Sequence, residues 1–212
     1  MAKCIIVCAA EVTRQDWEDA AYTPGDFVIA ADKGYLRLDE LSVTPHMIVG
    51  DFDSAPKPER PGVQVETYPV HKDDTDCLLA VRRGWECGMR DFVILGALGG
   101  KRLDHTVASL QTLDYIARIG GSGMLISGGT FARVVRMGSL RVHRTPGKLS
   151  VFALGESCSG VNLRGVEYPL KDYTLTCGFP LGVSNSFAEE YAEISVEWGS
   201  LLVIWTAQDC DR

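Results

Sequence analysis

The sequence predicts an N-terminal parallel-sheet α/β domain over residues 1–127 and a smaller all-β, sandwich-like domain over residues 128–212. Three observations predict it. From residue 3 to about 126, short apolar runs alternate with amphipathic stretches of helical period, which implies crossover connections and a parallel sheet. Three acid-bearing turns in this half each sit between an apolar run and a helical pattern. After Ser127-Gly128-Gly129-Thr130 the helical period disappears and strand-like runs replace it.

In the first half the strands are expected at Cys4 to Ala9, Phe27 to Ala31, Met47 to Val49, Val63 to Tyr68, Phe92 to Leu95 and Met124 to Ile126. Helices are expected near Arg14 to Ala20, Gly34 to Leu41, Thr75 to Cys87 and His105 to Ile119. The third helix has Leu78, Val81 and Trp85 on one side, Asp73 or Asp74 as N-cap and Gly88 as terminator. The fourth presents Val107, Leu110, Leu113 and Ala117, and stops at Gly120-Gly121. In the second half the strand-like runs are Phe131 to Met137, Leu140 to His143, Leu149 to Leu154, Tyr173 to Thr176, Ala192 to Trp198 and Leu201 to Thr206. Gly199-Ser200 reads as a hairpin turn between the last two, and Cys158 to Tyr168 is the longest stretch without pattern.

A net charge of -7 and a pI near 5.1 exclude a non-specific binder of nucleic acid or of a membrane surface, which needs a basic face. Seven cysteines with no CxxC pair indicate neither a disulfide framework nor a zinc ribbon, and point to small core residues in a reducing cytoplasm. The opening run Cys4 to Ala10 is too short to span a membrane and reads as a first strand rather than a signal peptide.

The chemistry lies in the acidic turns. In Gly50-Asp51-Phe52-Asp53-Ser54, residues i and i+2 of an extended segment point the same way, so Asp51 and Asp53 could share one hard divalent cation. An Asp-rich loop explains the same letters. In Lys72-Asp73-Asp74-Thr75-Asp76, Thr75 and Asp76 reach the first turn of a helix, where N–H groups favour an anion, while one of the other acids serves as a cap. In Gly99-Gly100-Lys101-Arg102-Leu103-Asp104-His105, the glycines allow close backbone approach, Arg102 offers a planar fork for phosphate, and Asp104-His105 open the next helix. Asp32 ends the second strand and adds a polar contact. His46 and His143 have no evident partner in the sequence. Walker A, GxGxxG and GxSxG patterns are absent.

Together the three turns, in this order and separation, resemble the signature turns of thiamine pyrophosphokinase. The likeness continues through Gly165-Val166-Glu167-Tyr168-Pro169-Leu170, Gly182-Val183-Ser184-Asn185 and Leu201 to Thr206, so it covers nearly the whole chain. It implies an α/β catalytic domain, a β domain that contributes the thiamine site and the dimer interface, and a cytoplasmic homodimer with small-molecule substrates. It also implies transfer of a diphosphoryl group from ATP to thiamine with Mg²⁺, giving thiamine diphosphate and AMP. By the resemblance, Asp51, Asp53 and Asp76 are metal ligands, and these three with Asp73 and Asp104 are the catalytic acids. Asp32, Lys72, Thr75, Arg102 and His105 lie on the ATP side, and Ser184, Asn185 and Trp205 at the vitamin. Two departures add positive charge: the family's Ala-Asp-Gly-Gly turn reads Ala31-Asp32-Lys33-Gly34, and Lys101 follows the glycine pair.

In-line transfer to a primary alcohol draws its acceleration from positioning and charge neutralisation. Asp73 or Asp104 could accept the hydroxyl proton, and the sequence does not choose between them. Trp205 could stack on a cationic ring or pack a core. The alternatives are an Asp-x-Asp nucleotide-sugar transferase, which leaves the second and third turns unexplained, and a sensor that binds without turnover.

Overall fold

The computed structural model describes residues 2–52, 57–69, 74–99 and 102–208. Asp53, Lys72 and Asp73 lie outside them. The chain divides into two compact units, Met1–Gly128 and Gly129–Arg212.

In the first unit six strands are described: β1 (Cys4–Val7), β2 (Phe27–Ala31), β3 (Met47–Gly50), β4 (Gln64–Thr67), β5 (Asp91–Leu95) and β6 (Ser122–Ser127). Their order is β4-β3-β2-β1-β5-β6, every pairing parallel. The chain winds outward from β1 through β2, β3 and β4, then returns to place β5 on the other side of β1. Parallel sheets of this kind bind ligands where the winding reverses, outside the carboxyl ends of the strands. Here that crevice opens at the ends of β1 and β5. Ile5, Ile6, Ile29, Ile48, Phe92, Ile94 and Leu125 are fully buried, as expected of strands covered on both faces.

Among the described residues four helices lie between the strands: α1 (Arg14–Asp19), α2 (Gly34–Glu40), α3 (Asp76–Glu86) and α4 (Leu103–Arg118). Helix α1 starts in a capping box between Thr13 and Asp16, and the buried Asp16 carboxylate also accepts from Gly128 N at 2.7 Å. The N-cap of α3 is Thr75 and not Asp74: the Thr75 hydroxyl accepts from Leu78 N at 3.2 Å, while Asp74 pairs with Arg82 at 2.6 Å. Gly88 ends the helix at φ 87°, as expected. The buried face of α4 is Ser109, Thr112, Leu113 and Ile116, with Val107 exposed, so the anticipated apolar stripe is rotated. The two hydroxyls can face inward because each donates to a carbonyl four residues back, Ser109 to His105 and Thr112 to Ala108. His46 does have a partner. Its Nδ1 accepts from Val28 N at 3.0 Å and its ring stacks on Phe27.

The second unit is antiparallel: β7 (Thr130–His143), β8 (Leu149–Arg164), β9 (Leu170–Thr176) and β10 (Tyr191–Thr206), in the order β7-β10-β8-β9. Several expected breaks are strand interior. The runs at Phe131 and Leu140 form one strand, and the unpatterned stretch belongs to β8 as far as Arg164. Gly199-Ser200 is no hairpin turn: β10 runs through it with a register shift, which is a bulge. Gly199 has φ 97° and lies so close to Cys158 that a Cβ would fall 2.8 Å from its Sγ. A straight strand of sixteen residues would reach about 53 Å. One core cluster nevertheless gathers Val135, Val142, Leu149, Val161, Leu163, Ile194 and Val203 from both halves of these strands. Register shifts interrupt β8, β9 and β10 along their length, and the unit is the smaller, β-rich body expected after the α/β unit.

Candidate active site

At the crevice the α/β unit holds a cavity of about 500 Å³. Its walls come from five places: Cys8 to Ala10 after β1, Asp32 after β2, Asp51 after β3, Asp74 to Cys77 at the start of α3, and Gly96 to Ser109 after β5 and into α4. Asp32, Asp51, Thr75, Asp76, Arg102 and His105 all line it, as does Asp74. Asp104 is exposed in the first turn of α4 and grips Arg102 through both of that guanidinium's Nε and Nη2 atoms, Nε to Oδ1 at 3.2 Å. That grip draws the Asp104 carboxyl below its ordinary range. A phosphate entering here would compete with Asp104 for the Arg102 fork.

Asp32 is the most informative acid. It sits at φ 46°, a conformation that non-glycine residues adopt at a cost. Among the described residues its Oδ1 is buried without a hydrogen-bond partner. Burial raises the Asp32 carboxyl above its ordinary value, the Lys33 backbone N–H opposes this, and the charges of Asp76 and Asp51 raise it further. Cys8 records the same crowding: its bond to the Cys77 thiol, burial and the charges of Cys77, Asp76 and Asp32 hold its thiol well above the usual range. The Asp32 carboxyl, at the end of β2, is therefore perturbed across one cavity by acids from the end of β3 and the start of α3. An orphaned buried oxygen among like charges suits a hard divalent cation, although among the described residues no three Asp, Glu, His or Cys side chains are grouped closely enough to hold one.

The turn at Phe52 differs from the extended geometry assumed for the Asp51-Phe52-Asp53 segment. Phe52 has φ 53°, so the backbone is not extended at that residue, and the placement of Asp53 lies outside the described residues. The residues missed by sequence reasoning are Cys8, Ala9, Ala10, Cys77, Ala97, Ala108 and Ser109. Most carry small side chains without distinctive chemistry. The available signal was position, since the end of β1 borders the reversal point of the sheet.

The crowding at Asp32 has a measurable consequence. A carboxyl whose pKa is raised by folding stabilises the fold when protonated. That contribution is fully present below the unfolded value of about 3.9 and is lost as pH rises through the folded value. At pH 7 the ligand-free protein bears the repulsion. Asp32→Asn, which tolerates positive φ, is expected to melt higher than the parent at pH 7, with the gain vanishing at acid pH. Thermal unfolding at two pH values checks this; an Asn variant less stable at pH 7 would refute the crowding.

In the β unit, Asn185 is buried and its side chain makes three hydrogen bonds to backbone: Oδ1 accepts from Tyr168 N and Ser186 N, both at 3.0 Å, and Nδ2 donates to Tyr168 O at 2.8 Å. It ties the 165–170 segment to the 182–187 segment. Ser184 is exposed at φ 59°, with its N–H on Ser150 Oγ at 3.0 Å. Trp205 stacks on Phe131, ring centroids 5.4 Å apart and planes within 10°. Asn185 and Trp205 flank Leu149 on opposite sides, about 10 Å apart by ladder spacing. Asn185→Ala strands three backbone groups and is expected to cost about 2 kcal/mol, seen as a Tm drop of roughly 4–8 °C. An unchanged Tm would show that the tie contributes nothing.

Known proteins share this architecture. A family model described as thiamin pyrophosphokinase, catalytic domain, matches residues 19–119, and one described as thiamin pyrophosphokinase, vitamin B1 binding domain, matches residues 139–201. The thiamine pyrophosphokinase of Bacillus subtilis (strain 168) is 27% identical over 183 residues, covering 83% of this chain and 85% of the relative. The crystal structure of thiamine pyrophosphokinase from Bacillus subtilis superposes with a TM-score of 0.85 at 24% identity, covering 97% of this chain and 99% of that one. That of yeast thiamin pyrophosphokinase gives 0.73 at 15% identity, covering 97% and 86%. At these identities the structures establish the fold alone. The two matched models fall one on each unit, in the order in which the acid-lined crevice and the antiparallel body follow each other, and on those grounds the chain belongs to the thiamin pyrophosphokinase family.

Proposed function

We propose that this protein transfers the diphosphoryl group of ATP to the hydroxyl of thiamine, releasing AMP, and that it does so with Mg²⁺. The observation that carries the reading is the convergence of Asp32, Asp51 and Asp76 with Arg102 on one cavity at the reversal point of the parallel sheet. Bound there, Mg²⁺ would supply charge neutralisation for the phosphate chain and the departing AMP. Asp51 and Asp76, with Asp53, would hold it, and Asp32 would add its unpartnered oxygen.

The remaining roles belong to this chain's own residues. Thr75 caps α3 and so presents that helix's first N–H groups to the cavity, which favours a phosphate. Arg102, once freed from Asp104, gives a two-donor grip on a phosphate oxygen pair, and release of that pair leaves Asp104 able to accept the hydroxyl proton. Asp73 is the other acid for this step. His105 and Lys72 complete the nucleotide side. Trp205, braced by Phe131, would offer its face to the vitamin ring beside Ser184, with Asn185 as the tie that shapes this segment.

A homodimer in the cytoplasm completes the reading. Tyr168, Phe179, Leu181 and Val183 are exposed apolar residues of the β unit, of the kind that self-association would cover. The described cysteines are free thiols, and among the described residues no helix is long and apolar enough to cross a membrane. The deciding experiment is incubation with ATP, Mg²⁺ and thiamine: AMP and thiamine diphosphate should appear in equal amounts. Binding of both substrates without AMP would instead identify a sensor, and a requirement for a nucleotide sugar would identify a glycosyl transferase.

A further inference from the structure

A second cavity, of about 490 Å³, lies within the β unit and shares no lining residue with the first. It is formed by the connection from β7 to β8, Arg144 to Lys148, facing Ser186 and Phe187. None of these residues has a part in the function proposed above. The connection is firmly seated. Thr145 Oγ1 donates to Thr206 O at 2.7 Å, Lys148 N donates to Thr206 Oγ1 at 3.1 Å, and Arg144 N donates to Glu190 O at 2.8 Å. At Gly147 a Cβ would fall 2.2 Å from Thr206 O, so no larger residue fits there.

The charges lining this cavity are basic. Several basic side chains elsewhere pair with carboxylates, Lys3 with Asp26, Arg37 with Glu40, Arg60 with Asp39, Arg82 with Asp74, Arg83 with Glu66, Arg118 with Asp114 and Arg141 with Glu193, while Arg90 bonds to backbone carbonyls and Arg136 to the Ser200 hydroxyl. Acids outnumber bases by seven. Yet among the described residues neither Arg144 nor Lys148 makes an ion pair, and the Glu190 carboxylate beside the connection turns to His143 at 3.9 Å. Lys148 Nζ instead donates to the Ser186 hydroxyl at 3.2 Å, which leaves that hydroxyl's own proton and the other ammonium protons available to a ligand. A guanidinium fork, an ammonium and a hydroxyl donor around one concavity suit a multiply charged oxyanion with acceptors on several sides. The apolar lining is confined to Pro146 and the buried Phe187, too little to hold a nucleobase or a vitamin ring.

We propose that Arg144, Lys148 and Ser186 form a binding site for a phosphate group, separate from the acid-lined cavity of the α/β unit. The occupant is a free phosphate or diphosphate, or the phosphate of a small ester. Hydrogen–deuterium exchange on the whole protein, with inorganic diphosphate and with AMP as probes, reads the site by location. Protection is expected over residues 144–148 and 185–187, saturating with ligand. Arg144→Gln with Lys148→Gln should weaken it at least tenfold, and Lys148→Arg should retain it. Protection by diphosphate alone assigns the free anion, and protection by AMP as well assigns the ester. Protection by neither, or protection equally strong in the double Gln variant, overturns the proposal. Thermal unfolding of the variants shows that the β unit remains folded.

Discussion

Replacing Asp76 with Asn is expected to lower kcat for AMP release by about 10³-fold, roughly 4 kcal/mol of transition-state stabilisation. Asp76 is the first residue of α3 and lines the cavity, and its charge is felt by both Asp32 and Cys8. Asn keeps the shape of the side chain and removes only the negative charge. The cap at Thr75 is untouched, so the helix keeps its start. The lost interaction of an acid with the helix N-terminus costs about 0.3–1 kcal/mol. Steady-state AMP formation and a thermal melt on the same preparation separate the two effects. A melt within a few degrees of the parent together with near-parent turnover would remove Asp76 from the reaction.

The largest loss of stability is expected from Gly34→Ala. Gly34 opens α2 directly against the end of β1, and a Cβ there would fall 1.8 Å from Val7 O. That neighbour is backbone in the middle of the sheet, paired on both sides, so it cannot give way without moving β1. A cost of about 3 kcal/mol or more follows, with Tm lower by roughly 6–12 °C. The strain has a functional side. Relieving it pushes α2 and the Asp32 turn away from the crevice, so turnover should fall even well below Tm. A variant that melts like the parent would mean that α2 does not seat on β1 as closely as described.

Strand placement in the α/β unit was legible because buried parallel strands are short apolar runs between turn residues, and Phe27–Ala31 shows this without any shift of boundary. Helix faces were less so. Ser109 and Thr112 hide on the inner face of α4 because their hydroxyls are satisfied by the helix itself, which hydrophobicity alone does not reveal. In the β unit, period-two reading failed where bulges intervene. Gly199 resembles a turn residue in sequence, and only its packing on Cys158 shows that it bends a strand instead. The acids of the site could be read because charged side chains at strand ends have few other uses. What sequence could not show is that Asp74 is committed to Arg82, that Asp104 holds Arg102, and that Asn185 bonds to backbone groups. Each depends on a partner fixed by the fold rather than by spacing.

Carboxylates from the ends of β2 and β3 and the start of α3 are expected to gather around one cation. Anomalous diffraction from crystals grown with Mn²⁺ and a non-hydrolysable ATP analogue tests it most directly. The expected result is a metal peak in the cavity at the end of β1, within coordination distance of Asp51 and Asp76 and of the analogue's phosphates. A metal bound to the nucleotide alone, with Asp51 and Asp76 turned away from it, would contradict the claim.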